Sequence, residues 1–271
     1  MEFGVTGRYY TSRRVSIYKL RWWTSLASET MKAAARIISG AEYMIALTGA
    51  GVSRESNVPT FRGADGLWRN YDPMELATPQ AFARNPKLVW EWYSWRQGLI
   101  AECEPNPAHT TIADWELYGT LKHLITQNVD GLHRRAGSEK VLEVHGDLWA
   151  TKCTSCSYNG RMDSPADGIP LCPKCKGLLR PDVVWFGESL DRHIMTRVHE
   201  ELASADVCLV IGTSALVQPA ASFPLVVKHS GGKILEVNVE HTPLTPVSDV
   251  HVSGKAGEVL PKLDQLLQKL S

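Results

Sequence analysis

From residue 31 onward, short apolar runs alternate with longer stretches in which hydrophobic positions recur every three or four residues. The runs Tyr43–Leu47, Leu121–Thr126, Val141–Val144, Val207–Ile211 and Ile234–Val239 are mostly apolar with branched side chains, and each ends in a polar or glycine-containing turn. They predict short strands buried on both faces. The segments Ala33–Ile38, Thr110–Tyr118, Arg192–Ser204, Ala220–Lys228 and Val259–Leu270 predict helices. Strands and helices alternating at this spacing build an α/β fold, a Rossmann-like doubly wound parallel sheet that binds ligands at the carboxyl ends of its strands. Two segments interrupt the alternation: Pro59–Pro107, rich in Trp and Pro, and Trp149–Pro181, which carries two cysteine pairs. Both read as insertions forming a smaller lobe. The predicted division is a large lobe of residues 31–58, 109–148 and 184–271, a helical insertion of 59–108 and a ribbon of 149–182. Residues 1–30 stand apart: Arg8, Arg13, Arg14, Lys19 and Arg21 face only Glu2 and Glu29 there, and no period is evident. That segment reads as a dispensable extension, with a targeting sequence or a packing arm as alternatives.

Composition narrows the function. The chain has 271 residues, and its 29 Lys and Arg balance 29 Asp and Glu. Neutrality argues against a disordered chain and against broad electrostatic attraction to nucleic acid. No apolar run approaches the ~20 residues of a membrane span. A soluble, cytoplasmic protein without nucleic-acid or membrane partners is expected, with a monomer favoured. Of six cysteines, Cys103 and Cys208 are isolated. Cys153 and Cys156 have two residues between them, and after 15 more come Cys172 and Cys175, again with two between. Two such thiolate knuckles close one tetrahedral zinc site, and four sulfurs leave no open position, so the metal is expected to be structural. A pair of redox dithiols is the competing reading.

The candidate chemistry lies in loops that follow strands. The first strand runs into TGAGVS, residues 48–53, where Gly49 and Gly51 would let backbone amides approach a phosphate. Arg54 occupies the place of the third glycine of a dehydrogenase fingerprint, which argues against that class. Gly212, Thr213 and Ser214 follow a second strand, and Asn238, Val239 and Glu240 a third, offering small donors and acceptors for ribose and phosphate. Thr126–His133 puts Asn128 and Asp130 on one face of an extended segment. His145 ends a further strand at the same predicted edge, and a histidine there can take a proton at neutral pH.

These motifs, with PTFR at 59–62, PDVVWFGE at 181–188 and Lys255–Gly257, resemble the sirtuins, the NAD-dependent protein lysine deacylases, over about residues 32–270. The resemblance implies NAD as co-substrate, one structural zinc and a cleft between two lobes where NAD meets acyl-lysine. Gly49, Ala50, Gly51, Ser53, Thr60, Phe61, Arg62 and Trp68 would wrap the pyrophosphate and nicotinamide. Gln127, Asn128, Val129 and Asp130 would line the ribose and nicotinamide pocket, with Asn128 and Asp130 assisting catalysis. Gly212, Thr213, Ser214, Asn238, Val239, Glu240 and Ala256 would hold the adenosine end. His145 would act as general base on a ribose hydroxyl after the acyl oxygen displaces nicotinamide, giving O-acyl-ADP-ribose and free lysine. Val183, Val184, Phe186, Gly187 and Glu188 would meet the substrate backbone. Acylated chromatin proteins or metabolic enzymes are the expected partners.

Many members carry aspartate where this chain has Thr60. Tyr93 and Arg96, at i and i+3 of a predicted helix, share one face. The pair resembles the subclass that removes acidic acyl groups, adding desuccinylase or demalonylase activity to deacetylase activity. The alternative is a helix that packs Trp90 and Tyr93 and exposes Arg96. Two other functions stay open at this point, namely ADP-ribosyl transfer to protein and non-catalytic NAD sensing with a zinc-ribbon binding surface.

Overall fold

The computed structural model describes residues 29–61, 66, 67 and 70–270; the readings made for the N-terminal extension, Arg62 and Trp68 fall outside them. The first helix, α1, spans residues 29–39. It leads into β1 (Met44–Thr48), in which all five side chains are buried. A short 3-10 turn, Ala50–Ser56, carries the chain into the insertion, which holds α2 (Pro73–Leu76), α3 (Pro79–Arg84) and α4 (Pro86–Ala101). Then follow α5 (Pro107–Leu117), β2 (Leu121–Thr126), α6 (Leu132–Arg135) and β3 (Val141–Glu143). The ribbon contributes β4 (Gly146–Cys153), β5 (Asn159–Arg161) and β6 (Leu179–Val183). The chain returns through α7 (Arg192–Ser204), β7 (Val207–Ile211), α8 (Phe223–His229), β8 (Lys233–Asn238), β9 (Val250–Ser253) and α9 (Ala256–Leu267).

The large sheet has the order β3-β2-β1-β7-β8-β9, and every neighbouring pair is parallel. The chain moves outward from β1 to β2 on one side and later returns to place β7 on the other. Crossovers therefore leave β1 and β7 in opposite directions and open a crevice above their carboxyl ends. One face of the sheet packs on α1, α5 and α9 through Ala34, Ile38, Ile112, Trp115, Leu260 and Leu263. The other packs on α7 and α8 through Val198, Leu202, Phe223 and Val227. The predicted strands match those observed to within a residue or so at each end. The run Ala220–Lys228 divides into a 3-10 turn and α8, and α9 begins three residues early. Edge strand β9, sequence VHVS, is too short and polar to stand out by pattern.

The insertion and the ribbon fold as one lobe around a shared core that includes Phe82, Trp90, Tyr93, Leu148 and Trp185. Pro86 at its first turn and the Asn85 side chain, which accepts from the Leu88 amide, start α4. Its buried face then reaches the ribbon by three side chains. Trp90 Nε1 donates to the Leu179 carbonyl at 2.8 Å, Gln97 Nε2 to the Leu148 carbonyl at 2.9 Å, and Ser94 Oγ to the Ala166 carbonyl at 2.8 Å. In return the Ala166 amide donates to Gln97 Oε1.

The loops after β1 and β7 cross in backbone contact. The Gly51 amide donates to the Gly212 carbonyl at 2.7 Å, and Gly212 has φ +59°. A Cβ on Gly212 would lie 2.5 Å from the Val52 nitrogen. Gly212→Ala combines a left-handed backbone with a clash against main chain and should cost about 3 kcal/mol or more. Urea unfolding would measure it; a loss below about 1 kcal/mol would show that the two loops can part without penalty.

Candidate active site

Above that crossing lies an elongated cleft of about 1620 Å³ between the lobes. Gly49, Ala50, Gly51, Thr60, Phe61, Gln127, Asn128, Val129, Gly212, Thr213, Ser214, Asn238, Val239, Glu240 and Ala256 all line it, as do His145, Tyr93 and Arg96. Val183, Val184, Phe186, Gly187 and Glu188 form its small-lobe rim. Ser53 and Asp130 do not reach the cleft surface. Both are buried directly behind Asn128, where they order the wall.

Hydrogen bonds behind that wall order its side chains. Ser53 Oγ donates to Asp130 Oδ2 at 2.8 Å and accepts from Asn128 Nδ2 at 3.0 Å. His109 Nε2 lies 3.3 Å from the same hydroxyl, and His109 Nδ1 accepts the Asn106 amide. Because Ser53 has spent its proton on Asp130, His109 must be the neutral Nε2–H tautomer. Its ring packs 4.8 Å from His133, whose Nε2 meets Thr48 Oγ1 at 3.0 Å. Burial lowers the His109 pKa to about 4 and holds His133 well below the usual histidine range, with His109 adding to the effect on His133. Burial also raises the Asp130 carboxyl, against the bonds from the Leu132 amide and Ser53 and the attraction of Arg96. His109 carries no motif of its own, and His133 ends the 126–133 segment without being among the predicted site residues.

His145 occupies the two-residue turn between β3 and β4, where the chain passes from the large sheet to the small one. Its Nδ1 is 3.1 Å from the Gln127 carbonyl. A carbonyl only accepts, so Nδ1 carries the proton and Nε2 holds the basic lone pair. Gln127 Nε2 donates to Thr213 Oγ1 at 3.1 Å, tying the loops after β2 and β7 together. Asn238 Nδ2 donates to the Thr213 carbonyl, joining the loop after β8. Glu55, also absent from the sequence reading, accepts the Gly257 amide at 2.7 Å and so caps the first turn of α9 beside the cleft.

On the rim, the Val184 amide donates to the His145 carbonyl and the Phe186 amide to the Ala77 carbonyl, so both are already committed within the chain. The Glu188 carboxylate takes both terminal nitrogens of Arg180, at 2.5 and 2.9 Å, and the Trp185 amide. The Arg180 guanidinium lies 3.3 Å from the centre of the Trp185 ring. Trp185 Nε1 in turn donates to the Tyr93 hydroxyl at 2.8 Å. Arg96, only 5% exposed, stacks on Phe61 at 4.6 Å and Trp92 at 5.0 Å. No carboxylate lies within ion-pair distance of it among the described residues.

The four paired cysteines converge at the tip of the ribbon, with all Sγ atoms within 4.8 Å of one another. Cys153 and Cys175 are 3.5 Å apart, and Cys156 and Cys172 3.6 Å. Zinc–sulfur bonds of ~2.3 Å place tetrahedral sulfurs about 3.8 Å apart, so the arrangement fits one zinc ion with no open position. The Ser155 and Gly177 amides point at Cys153 and Cys175 Sγ and would support the thiolates.

An open parallel sheet with a ligand cleft at its switch point and a zinc-ribbon lobe over that cleft defines a nucleotide-binding enzyme of Rossmann type. The profile of the Sir2 family matches residues 49–219. An NAD-dependent protein deacylase of Pyrococcus furiosus is 51% identical over 243 residues, covering 87% of this chain and 97% of that protein. A crystal structure of a Sir2 homologue in complex with NAD superimposes with a TM-score of 0.84 at 51% identity, covering 88% of this chain and 94% of the other. Sir2Af2 bound to a myristoylated histone peptide gives 0.75 at 35% identity, covering 90% and 98%. The chain belongs to the Sir2 family.

Two outcomes test this account. The purified protein should hold about one zinc by elemental analysis, and Cys172→Ser should release it and lower the melting temperature by at least about 5 °C. A full complement of zinc in that variant would contradict a closed four-thiolate site. For His109, the folded value lies below the unfolded ~6.5, so its contribution to stability is complete above pH 6.5 and is lost as the pH falls toward 4, by up to about 3 kcal/mol. His109→Gln should flatten that part of the stability profile, and an unchanged slope would show that another group carries it.

Proposed function

We propose that this chain removes acyl groups from protein lysines with NAD as co-substrate, and that its acyl pocket takes succinyl and malonyl groups as well as acetyl. The deacylase reading follows from family membership and from relatives so named. The acidic-acyl reading rests on one observation: Tyr93 and Arg96 are buried in the cleft wall with donors that no carboxylate of the described chain accepts. The Tyr93 oxygen already accepts from Trp185, so its own proton is available to a ligand. Burial pushes the Tyr93 pKa up to about 12, which keeps that proton in place, whereas Arg96 stays a cation even though burial lowers its pKa. A guanidinium fork and a hydroxyl, one helical turn apart, suit a terminal carboxylate.

An acyl amide is a weak nucleophile, and NAD supplies an activated glycosidic carbon for it to attack. The residues do the rest. The absence of side chains at Gly49, Gly51 and Gly212 leaves room for the phosphates, and Gln127 and Asn128 border the ribose. Nε2 of His145 takes a proton from the ribose hydroxyl, its ring fixed by the Gln127 carbonyl. Thr60 and Phe61 border the nicotinamide end. The rim at 183–188 receives the peptide. Acylated histone or metabolic-enzyme lysines suit such a rim, and six cysteines free of disulfides support the cytoplasm as the working compartment.

A panel of acetyl, malonyl and succinyl peptides with NAD, read by mass spectrometry, tests both levels. Arg96→Met should lower kcat/KM for succinyl peptide about 10- to 100-fold and leave acetyl peptide within a few-fold. Equal losses would sink the acidic-acyl reading, and absence of O-acyl-ADP-ribose from every peptide would sink the deacylase.

A further inference from the structure

Glu236 lies in the middle of β8, between the apolar Leu235 and Val237, and is 1% exposed. Alternation along a strand sends its side chain to the same face as Ile234, toward the segment that links β8 to β9. There the carboxylate is fully used. Thr242 Oγ1 donates to Oε1 at 2.5 Å, Thr245 Oγ1 to Oε2 at 2.6 Å, and His251 Nδ1, one strand over in register, meets Oε2 at 2.9 Å.

The same threonines also hold the connecting backbone. The Thr242 amide donates to Thr245 Oγ1, and the Leu244 amide to Thr242 Oγ1. Leu244, 3% exposed, anchors the segment in the core below. The third partner, His251, stacks on His241 with ring centres 4.8 Å apart and planes 21° from parallel. His241, Thr242 and Pro243 form the cleft wall next to Asn238, Val239 and Glu240. One buried carboxylate thus fixes, by separate routes, the backbone and the stacked ring of a stretch of the ligand cleft.

Removing a carboxylate from water is costly, and well-packed apolar residues of similar size often serve a core at least as well. A Val or Leu on β8 would satisfy the sheet. It would leave the two threonine hydroxyls and the His251 ring without a common acceptor, and residues 241–245 without a fixed conformation. We propose that Glu236 is a positioning residue for NAD: through Thr242, Thr245 and His251 it sets the wall at 241–243 against which the adenosine half of the cofactor rests. The proposal rests on the reading that the adenosine end lies over the carboxyl ends of β7 and β8. It does not depend on the acyl preference.

Thr245 is the cleanest probe, because it touches the carboxylate but not the cleft. With the full-length chain, ADP-ribose affinity is measured by calorimetry, and KM for NAD, KM for acyl peptide and kcat by steady-state kinetics. Thr245→Val, which removes both bonds of this hydroxyl, should weaken ADP-ribose and raise the KM for NAD at least about fivefold. Thr245→Ser, which keeps the hydroxyl, should restore both. Glu236→Gln should act in the same direction as Thr245→Val. In each variant kcat and the peptide KM should stay within about twofold, which a general loss of structure would not allow. Asn238→Ala separates the two ways of failing. If it weakens ADP-ribose while Thr245→Val, folded with an unchanged melting temperature, does not, the clamp is wrong and the adenosine reading stands. If neither changes ADP-ribose affinity, the adenosine end lies elsewhere and the proposal falls with it. Parallel losses in kcat and both KM values would also overturn it.

Discussion

The site depends on two glycines in contact. Where the Gly51 amide meets the Gly212 carbonyl, the loops leaving two adjacent parallel strands approach more closely than any side chain would permit. That contact leaves no room for a Cβ atom at either glycine on the floor of the cleft. It also decides what lies to either side. Ser53, two residues beyond Gly51, turns inward to Asp130 and Asn128, while Thr213, one residue beyond Gly212, turns sideways to Gln127. Both links run to the loop after β2, and Asn238 adds one from the end of β8 to the Thr213 carbonyl.

In the polar layer behind that wall, two histidines that burial keeps neutral flank Ser53 and Thr48, and Asp130 is the acidic member. The small lobe contributes in another way. Its zinc ribbon has no opening for chemistry, yet the ribbon strands accept Trp90 and Gln97 of α4, and α4 carries Tyr93 and Arg96. The metal site therefore bears on the cleft through the helix that the ribbon holds in place.

The sheet was legible because its strands are apolar on both faces and bounded by turn residues, which leaves few alternatives for runs such as Val207–Ile211. The cleft residues were legible wherever they follow a strand, since Gly49, Asn128, Gly212 and Asn238 all sit at carboxyl ends. Residues that support the site from behind were not. His109 lies inside helix α5, Glu236 in a central strand and Arg180 in the ribbon, and nothing in their local sequence separates them from ordinary helical or strand positions. Their roles arise from partners 56, 15 and 8 residues away in the chain, distances that only the folded topology closes. Ser53 and Asp130 show the reverse case: their motif marks them as site residues, and the fold sets them one layer back.

The carboxylate inside β8 has a consequence for how such a chain can change. Removing it alone would strand the hydroxyls of Thr242 and Thr245 and the His251 ring, so a change to Val or Ile at 236 costs stability unless those partners change with it. The four positions are therefore tied together, and substitution at any one of them is constrained by the other three.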